Sequence, residues 1–208
     1  MRGRLPDDLR CVVFDVGETL VDETRLWAEL ARRAGVTPFT LTAVLGSLIA
    51  RGEDHRQIWD ILGCERPDTT VVVERDDLYP DALECLAAVR TAGLTVGIAG
   101  NQPEGAEDQL LALGFTADFL ASSTRWGVAK PSVEFFERVL VSAHCPAPAV
   151  LYVGDRLDND VLPARAVGMR TALLRRGPWG YLHSRAPEAH LADLRLDSLT
   201  QLSRLVTG

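Results

Sequence analysis

Short apolar runs alternate with helical segments along most of this 208-residue chain. The runs cover residues 11–14, 94–99, 118–121, 150–153 and 171–174, and a further short strand is expected near Leu194. Runs that are apolar throughout are typical of strands buried on both faces of a parallel sheet. Between the apolar runs lie helical segments that begin near a proline and end at a glycine, for example from Pro80 to Gly93 and from Pro103 to Gly114. Because parallel strands need crossover connections, the pattern predicts an α/β fold with helices on both faces of one sheet.

Residues 20–79 interrupt this alternation with helical patterns only. One apolar stripe runs from Leu26 to Ala34, and a second occupies positions i, i+3, i+4, i+7 and i+8 from Leu41 to Ile49. We therefore predict a Rossmann-like three-layer core formed by residues 1–19 and 80–208, and a helical cap inserted at 20–79. Residues 175–181, after the fifth run, either border the ligand-binding edge of the sheet or form a surface loop, and we expect the surface loop.

Composition narrows the partners that we expect for this chain. It has 22 basic and 29 acidic residues and a formal net charge of −7, so no basic face for nucleic acid or anionic membranes is expected. No apolar run approaches the roughly 18 residues that a membrane-spanning helix needs. Four scattered cysteines without a CxxC pair favour core thiols in a reducing compartment, so we expect a cytoplasmic protein. The association state stays open between monomer and homodimer.

Polar side chains follow the ends of several predicted strands. They are Asp15 after the first run, Gly100 and Asn101 after the second, Asp155 and Asp160 after the fourth, and Lys130 before a core helix. Ligands of an open parallel sheet bind beyond the carboxyl ends of the strands. Carboxylates, one lysine and small hydrogen-bonding residues at that edge suit a divalent cation together with a phosphate.

Four segments in this order resemble the motifs of the haloacid dehalogenase-like hydrolase superfamily. They read FDVGETLVD at 14–22, GIAGN at 97–101, KP at 130–131 and VGDRLDND at 153–160. The helical insertion between the first two resembles the small cap of the first cap class in that superfamily. The resemblance implies a hydrolase that acts on a small substrate held between core and cap.

The resemblance also assigns roles to individual residues. Asp15 would be the nucleophile that forms a covalent aspartyl intermediate, and Lys130 would neutralise it and the transferring phosphoryl group. Mg²⁺ would be held by Asp15, the backbone carbonyl of Gly17 and Asp155, with Asp160 as a further ligand or as an orienting group. Contacts to the phosphate are expected from Thr19, Gly100, Asn101 and Lys130.

Two positions depart from the superfamily pattern. Phosphatases of this type carry an aspartate as general acid and base where this chain has Gly17, and a serine or threonine where it has Gly100. A glycine has no proton to give to a leaving group, and such help is typically worth ~10²–10⁴-fold in rate. Glu18, one residue further on, is a doubtful replacement because neighbouring side chains on an extended segment diverge. Asn101 remains as a possible amide donor to the phosphate.

Three functions are compatible with these departures. The first is a Mg²⁺-dependent phosphatase of low or specialised activity, with Glu18, a cap residue or the substrate itself as the acid. The second is a non-catalytic or divergent member that binds a phosphorylated ligand or a protein partner. The third is a 2-haloacid dehalogenase, whose halide leaves without protonation, although such members do not normally keep the metal-binding aspartate at Asp155. We expect the first, with a small phosphorylated metabolite as substrate.

Overall fold

The computed structural model describes residues 5–68 and 71–208. Six strands lie within them: β1 (Cys11–Phe14), β2 (Thr95–Gly100), β3 (Phe119–Ser122), β4 (Val150–Gly154), β5 (Arg170–Leu174) and β6 (Leu194–Leu196). All pair in parallel, in the order β3-β2-β1-β4-β5-β6. Each predicted strand is confirmed to within one residue at its ends.

Helices connect the strands. They are α1 (Thr24–Arg33), α2 (Pro38–Arg51), α3 (Ile58–Leu62), α4 (Ala82–Thr91), α5 (Ala106–Ala112), α6 (Ser123–Trp126), α7 (Val133–Ala143), α8 (Leu162–Ala166), α9 (Gly177–His183) and α10 (Leu199–Thr207). A five-residue π-helical segment, Leu157–Val161, leads into α8. In the described residues, no single helix is long and apolar enough to cross a membrane, and only the bent pair of α1 and α2 would reach that length and composition together.

Side-chain alternation along β1 builds the core on both faces of the sheet. Val12 and Phe14 belong to one apolar cluster, and Cys11 and Val13 belong to another. Residues of α4 and α10 join the first cluster, and residues of α7 join the second. The sheet is therefore the middle of three layers, which confirms the predicted α/β class.

The helices between β1 and α4 pack around an apolar cluster of their own, which includes Leu30, Leu45 and Ile58. The Thr37 hydroxyl accepts a hydrogen bond from the backbone N–H of Thr40 and so caps α2. These helices match the predicted amphipathic stripes. The exact division between core and cap at residues 20 and 79 stays a prediction.

The prediction of a surface loop over residues 175–181 is wrong. Residues Gly177–His183 form helix α9, with Pro178 in its first turn. Trp179 is only 6% exposed and packs into the apolar cluster of the inserted helices. The burial of this large side chain provides a tertiary contact that the Gly- and Pro-rich local sequence does not indicate.

Candidate active site

The carboxyl ends of β1, β2 and β4 meet at one point of the sheet. Asp15 directly follows β1, and its backbone N–H still donates to the Val153 carbonyl oxygen of β4, 2.9 Å away. Asp155 directly follows β4, and Gly100 is the last residue of β2. A cavity of about 1070 Å³ opens here between the sheet edge and the inserted helices. The topology therefore brings together residues that are up to 140 positions apart in the sequence (from 15 to 155).

Asp15, Asp155 and Lys130 line the floor of this cavity, and Asp160 lies buried directly behind Lys130. Asp15, Asp155 and Asp160 are almost completely buried, and each offers an oxygen atom within 4.8 Å of the other two. The Lys130 Nζ atom lies 2.7 Å from Asp15 Oδ1 and 2.5 Å from Asp160 Oδ1. One ammonium group opposite three buried carboxylates leaves an excess of negative charge, which favours the binding of a further cation.

Burial and crowding shift the pKa values of these groups. Burial raises the pKa of Asp15 to about 6, with a further increase from Asp160, although Lys130 opposes the shift. The pKa of Asp155 is well above its usual range, first because of burial and then because of the nearby Asp160 and Asp15 carboxylates. Burial lowers the pKa of Lys130, but Asp15 and Asp160 outweigh it and hold that pKa well above its ordinary value. Lys130 therefore stays charged at neutral pH.

One oxygen atom of the cluster indicates a site for a metal ion. Asp155 Oδ2 is buried and has no hydrogen-bond partner within residues 5–68 and 71–208. An unpaired buried carboxylate oxygen is costly unless a cation binds it, and Mg²⁺ prefers carboxylate oxygens and water as ligands. Asp155 and Asp15 offer carboxylate oxygens that fit Mg²⁺, and the backbone carbonyl of Gly17 stays a predicted third ligand.

Asp160 has a different environment from Asp155. Its Oδ1 atom accepts from Lys130, and its Oδ2 atom accepts from the backbone N–H of Arg156 at 3.0 Å. Both carboxylate oxygens are therefore engaged by protein donors. This arrangement favours the orienting role that the sequence left open over direct metal binding, and the choice between them stays a prediction.

The residues expected to contact phosphate lie in different environments. The side-chain amide of Asn101 donates to the Lys130 carbonyl at 3.0 Å and accepts from the Lys130 backbone N–H at 2.8 Å. Asn101 thus fixes the backbone of Lys130, and its contact to phosphate stays a prediction. A Cβ atom at Gly100 would lie 2.5 Å from Asp15 Oδ1, so a serine there would displace the carboxylate.

Thr19 requires a correction. Backbone hydrogen bonds from Thr19, Leu20 and Val21 to the Val16 carbonyl close a tight turn after β1. This turn carries Thr19 into the interior, where its side chain is fully buried and its hydroxyl has no hydrogen-bond partner among the described residues. Thr19 does not line the cavity. The structure therefore does not bring it to the phosphate position that the sequence suggested.

The carboxylate of Glu18 is held by two donors outside the aspartate cluster. Its Oε1 atom accepts from the backbone N–H of Glu23 at 3.1 Å, and its Oε2 atom accepts from the Tyr79 hydroxyl at 2.5 Å. A Cβ atom on Gly177 would overlap this carboxylate, so the start of α9 also packs against it. With both oxygens engaged, Glu18 is a poor replacement for the acid missing at Gly17.

Glu23, which precedes α1, carries a second carboxylate near position 17. A Cβ atom at Gly17 would overlap Glu23 Oε1 and lie 2.8 Å from its Cδ atom. The Trp27 indole N–H donates to Glu23 Oε2 at 3.3 Å and helps to fix this orientation. Burial, with smaller contributions from Glu18 and Asp15, raises the pKa of Glu23 to about 7. Glu23 lines the same cavity as Asp15.

Sequence reasoning missed Glu23 and Arg156, whereas the segment 175–181, which contains Trp179, does border the cavity, as one of the two alternatives for it predicted. The Arg156 guanidinium lies 4.6 Å from the centre of the Trp179 ring and pairs with Asp158 at 2.6 Å. Arg156 and Trp179 both line the cavity, stacked on each other. A signal for Glu23 existed only in the glycine at position 17, because a missing side chain leaves space that a neighbour fills.

Known proteins match most of the length of this chain. A model of the haloacid dehalogenase-like hydrolase family matches residues 9–168. A glyceraldehyde 3-phosphate phosphatase from Methanocaldococcus jannaschii is 24% identical, over 95% of this chain and 97% of its own length. A HAD phosphatase from Thermococcus onnurineus superposes with a TM-score of 0.63 at 19% identity, covering 96% of this chain and 99% of that one. The L-2-haloacid dehalogenase from Xanthobacter autotrophicus superposes with a TM-score of 0.68 at 22% identity, covering 96% and 99%. This chain therefore belongs to the haloacid dehalogenase-like hydrolases.

Proposed function

We propose that this chain is a magnesium-dependent phosphatase that hydrolyses a small phosphorylated metabolite through a phosphoryl intermediate on Asp15. The observation that carries the proposal is the unpaired, buried Asp155 Oδ2 atom within the cluster of Asp15 and Asp160. A metal ion there would turn an acidic floor into a site for an anion. The similarity to a glyceraldehyde 3-phosphate phosphatase supports a small phosphorylated substrate.

The residues of the floor divide the chemistry between them. The Asp15 carboxylate, with a pKa of about 6, is largely ionised at neutral pH and attacks the phosphorus atom. Asn101 fixes the backbone of Lys130. The Lys130 ammonium group neutralises charge on Asp15 and on the oxygens of the phosphoryl group while that group is transferred. Magnesium, when bound by Asp15, Asp155 and the Gly17 carbonyl, supplies further positive charge beside those oxygens.

A dehalogenase of the same fold would need no metal ligand at Asp155. The unpaired oxygen of Asp155 and the negative excess of the cluster therefore favour the phosphatase. A solved phosphatase and a solved dehalogenase superpose on this chain with TM-scores of 0.63 and 0.68, and fold alone does not discriminate between the two reactions.

A panel of small phosphomonoesters with Mg²⁺ tests the proposal. Turnover is expected in the wild type, and Asp15→Asn and Asp155→Asn should each abolish it. Asp60→Asn, the same chemical change at an exposed position of α3, should leave the rate unchanged.

Other results would replace the proposal with one of its alternatives. Equal residual rates in wild type and Asp15→Asn would refute the phosphoryl intermediate. Halide release from a 2-haloacid in EDTA would identify a dehalogenase. If neither reaction occurs and a phosphate mimic with Mg²⁺ raises the melting temperature, the chain is a binding protein.

A further inference from the structure

The active-site cavity lacks an acid at position 17, and the side chain of another residue fills the resulting space. A Cβ atom built on Gly17 would overlap Glu23 Oε1 and lie 2.8 Å from Glu23 Cδ. The Glu23 carboxyl therefore occupies the volume into which a side chain at position 17 would project. Glu23 lies near the start of the predicted insertion, directly before α1.

Two hydrogen bonds fix the position of Glu23. The Trp27 side chain, one helical turn later, donates its indole N–H to Glu23 Oε2 at 3.3 Å. The backbone N–H of Glu23 donates to Glu18 Oε1, which fixes the main chain at the same point. Trp27 and Glu23 both line the cavity that contains Asp15 and Lys130. One Glu23 oxygen is thus oriented by the indole, while the other faces Gly17.

We propose that Glu23 is a catalytic residue that donates and accepts the proton in phosphate ester hydrolysis, in place of the aspartate that is absent at Gly17. This inference rests on the proposed phosphatase function. Glu18, the other nearby carboxylate, is unsuited because Glu23 N–H and the Tyr79 hydroxyl already engage both of its oxygens.

The two half-reactions then balance. In the first, an Asp15 oxygen bonds to phosphorus, the bond from phosphorus to the leaving oxygen breaks, and that oxygen takes the proton of the Glu23 carboxyl. In the second, the Glu23 carboxylate takes a proton from water as the water oxygen bonds to phosphorus. The bond between phosphorus and Asp15 breaks, inorganic phosphate leaves, and both residues return to their starting states.

Dependence on the leaving group separates this role from a structural one. Alkoxide is a poor leaving group and needs the proton, whereas a nitrophenolate needs little protonation. Glu23→Gln should lower kcat/KM for an alkyl phosphate by ~10²–10³-fold and for p-nitrophenyl phosphate by less than about tenfold. With p-nitrophenyl phosphate the variant should also show a burst of nitrophenol, because the second half-reaction has lost its base.

Glu29→Gln is the matched control, because it makes the same change on α1 at a carboxylate that pairs with Arg32 and Arg33. Its rates with both esters should equal those of the wild type. Equal losses with both esters in Glu23→Gln, without a burst, would overturn the inference. A shift of the Mg²⁺ activation midpoint with unchanged leaving-group dependence would also overturn it, since Glu23 would then act on the metal.

An exchange of the two side chains gives a gain-of-function test. Glu23→Ala should lose activity toward the alkyl phosphate, and Gly17→Asp combined with Glu23→Ala should restore it by at least about tenfold. A double variant no better than Glu23→Ala, or a fully active Glu23→Gln, would refute the role of Glu23 while leaving the phosphatase intact. Wild-type turnover that Asp15→Asn does not lower would instead refute the proposed function itself, and the inference with it.

Discussion

Replacing Lys130 by methionine removes the ammonium group from among the buried carboxylates while keeping most of the side-chain volume. Lys130 is 5% exposed, and its Nζ atom lies 2.7 Å from Asp15 Oδ1 and 2.5 Å from Asp160 Oδ1. At an effective dielectric constant of about 20, two unit charges 2.7 Å apart attract by roughly 6 kcal/mol. Desolvation of the ions offsets much of this attraction, and removal of one partner from a buried pair costs about 3–5 kcal/mol in practice. We expect Lys130→Met to lower the free energy of unfolding by that amount without metal.

Urea unfolding of wild type and variant in EDTA and in Mg²⁺ measures this effect. The loss should be smaller in Mg²⁺, because the bound cation compensates the carboxylates that the lysine no longer neutralises. Arg32→Met is the control: Arg32 pairs with Glu29 at 2.7 Å, but its side chain is 70% exposed. An exposed pair contributes at most about 1 kcal/mol. A Lys130→Met loss in EDTA no greater than that of Arg32→Met, or a loss that Mg²⁺ leaves unchanged, would refute the electrostatic reasoning.

Three further predictions concern the same region and the inserted helices. Gly100→Ser should lower turnover by about tenfold or more with the fold intact, because its Cβ atom would lie 2.5 Å from Asp15 Oδ1; an unchanged kcat/KM would contradict this. In EDTA the free energy of unfolding should fall as the pH rises from about 4 to about 7, because the folded-state pKa values of Asp15 (about 6) and Glu23 (about 7) lie above their ordinary values of 3.8 and 4.5. Glu23→Gln should make that decline less steep. A decline in the variant that runs parallel to the wild-type decline would disprove the contribution of Glu23 to it. Trp179→Ala should cost about 3–5 kcal/mol in thermal or urea unfolding because Trp179 is buried against the inserted helices; a loss below about 1 kcal/mol would show that the contact is not formed.

Local patterns in the sequence were sufficient to predict the sheet. The four strands β1 to β4 are almost wholly apolar, and buried parallel strands carry that signal without help from distant residues. The polar residues that follow the strands could also be placed, since the carboxyl ends of parallel strands share one edge. Asp15, Asp155 and Lys130 were therefore identifiable, and the structure brings them together.

Features that depend on tertiary contacts were not predictable in the same way. Helix α9 has a Gly- and Pro-rich sequence typical of a loop, and it is stabilised by burial of Trp179 against helices more than a hundred residues earlier. Thr19 has a hydroxyl group that could bind phosphate, but a tight turn, closed by hydrogen bonds to the Val16 carbonyl, places its side chain in the interior. The link between Gly17 and Glu23 is a matter of volume, which requires coordinates to detect.

Identification of the phosphorylated residue is the decisive test of whether Asp15 carries the phosphoryl intermediate. The wild-type enzyme is mixed with a small phosphomonoester and Mg²⁺, quenched in acid within one turnover, digested and analysed by mass spectrometry. We expect one phosphoryl group, carried on Asp15 and absent from Asp15→Asn. Turnover without a phosphorylated peptide, or with the phosphoryl group on another residue, would contradict this expectation.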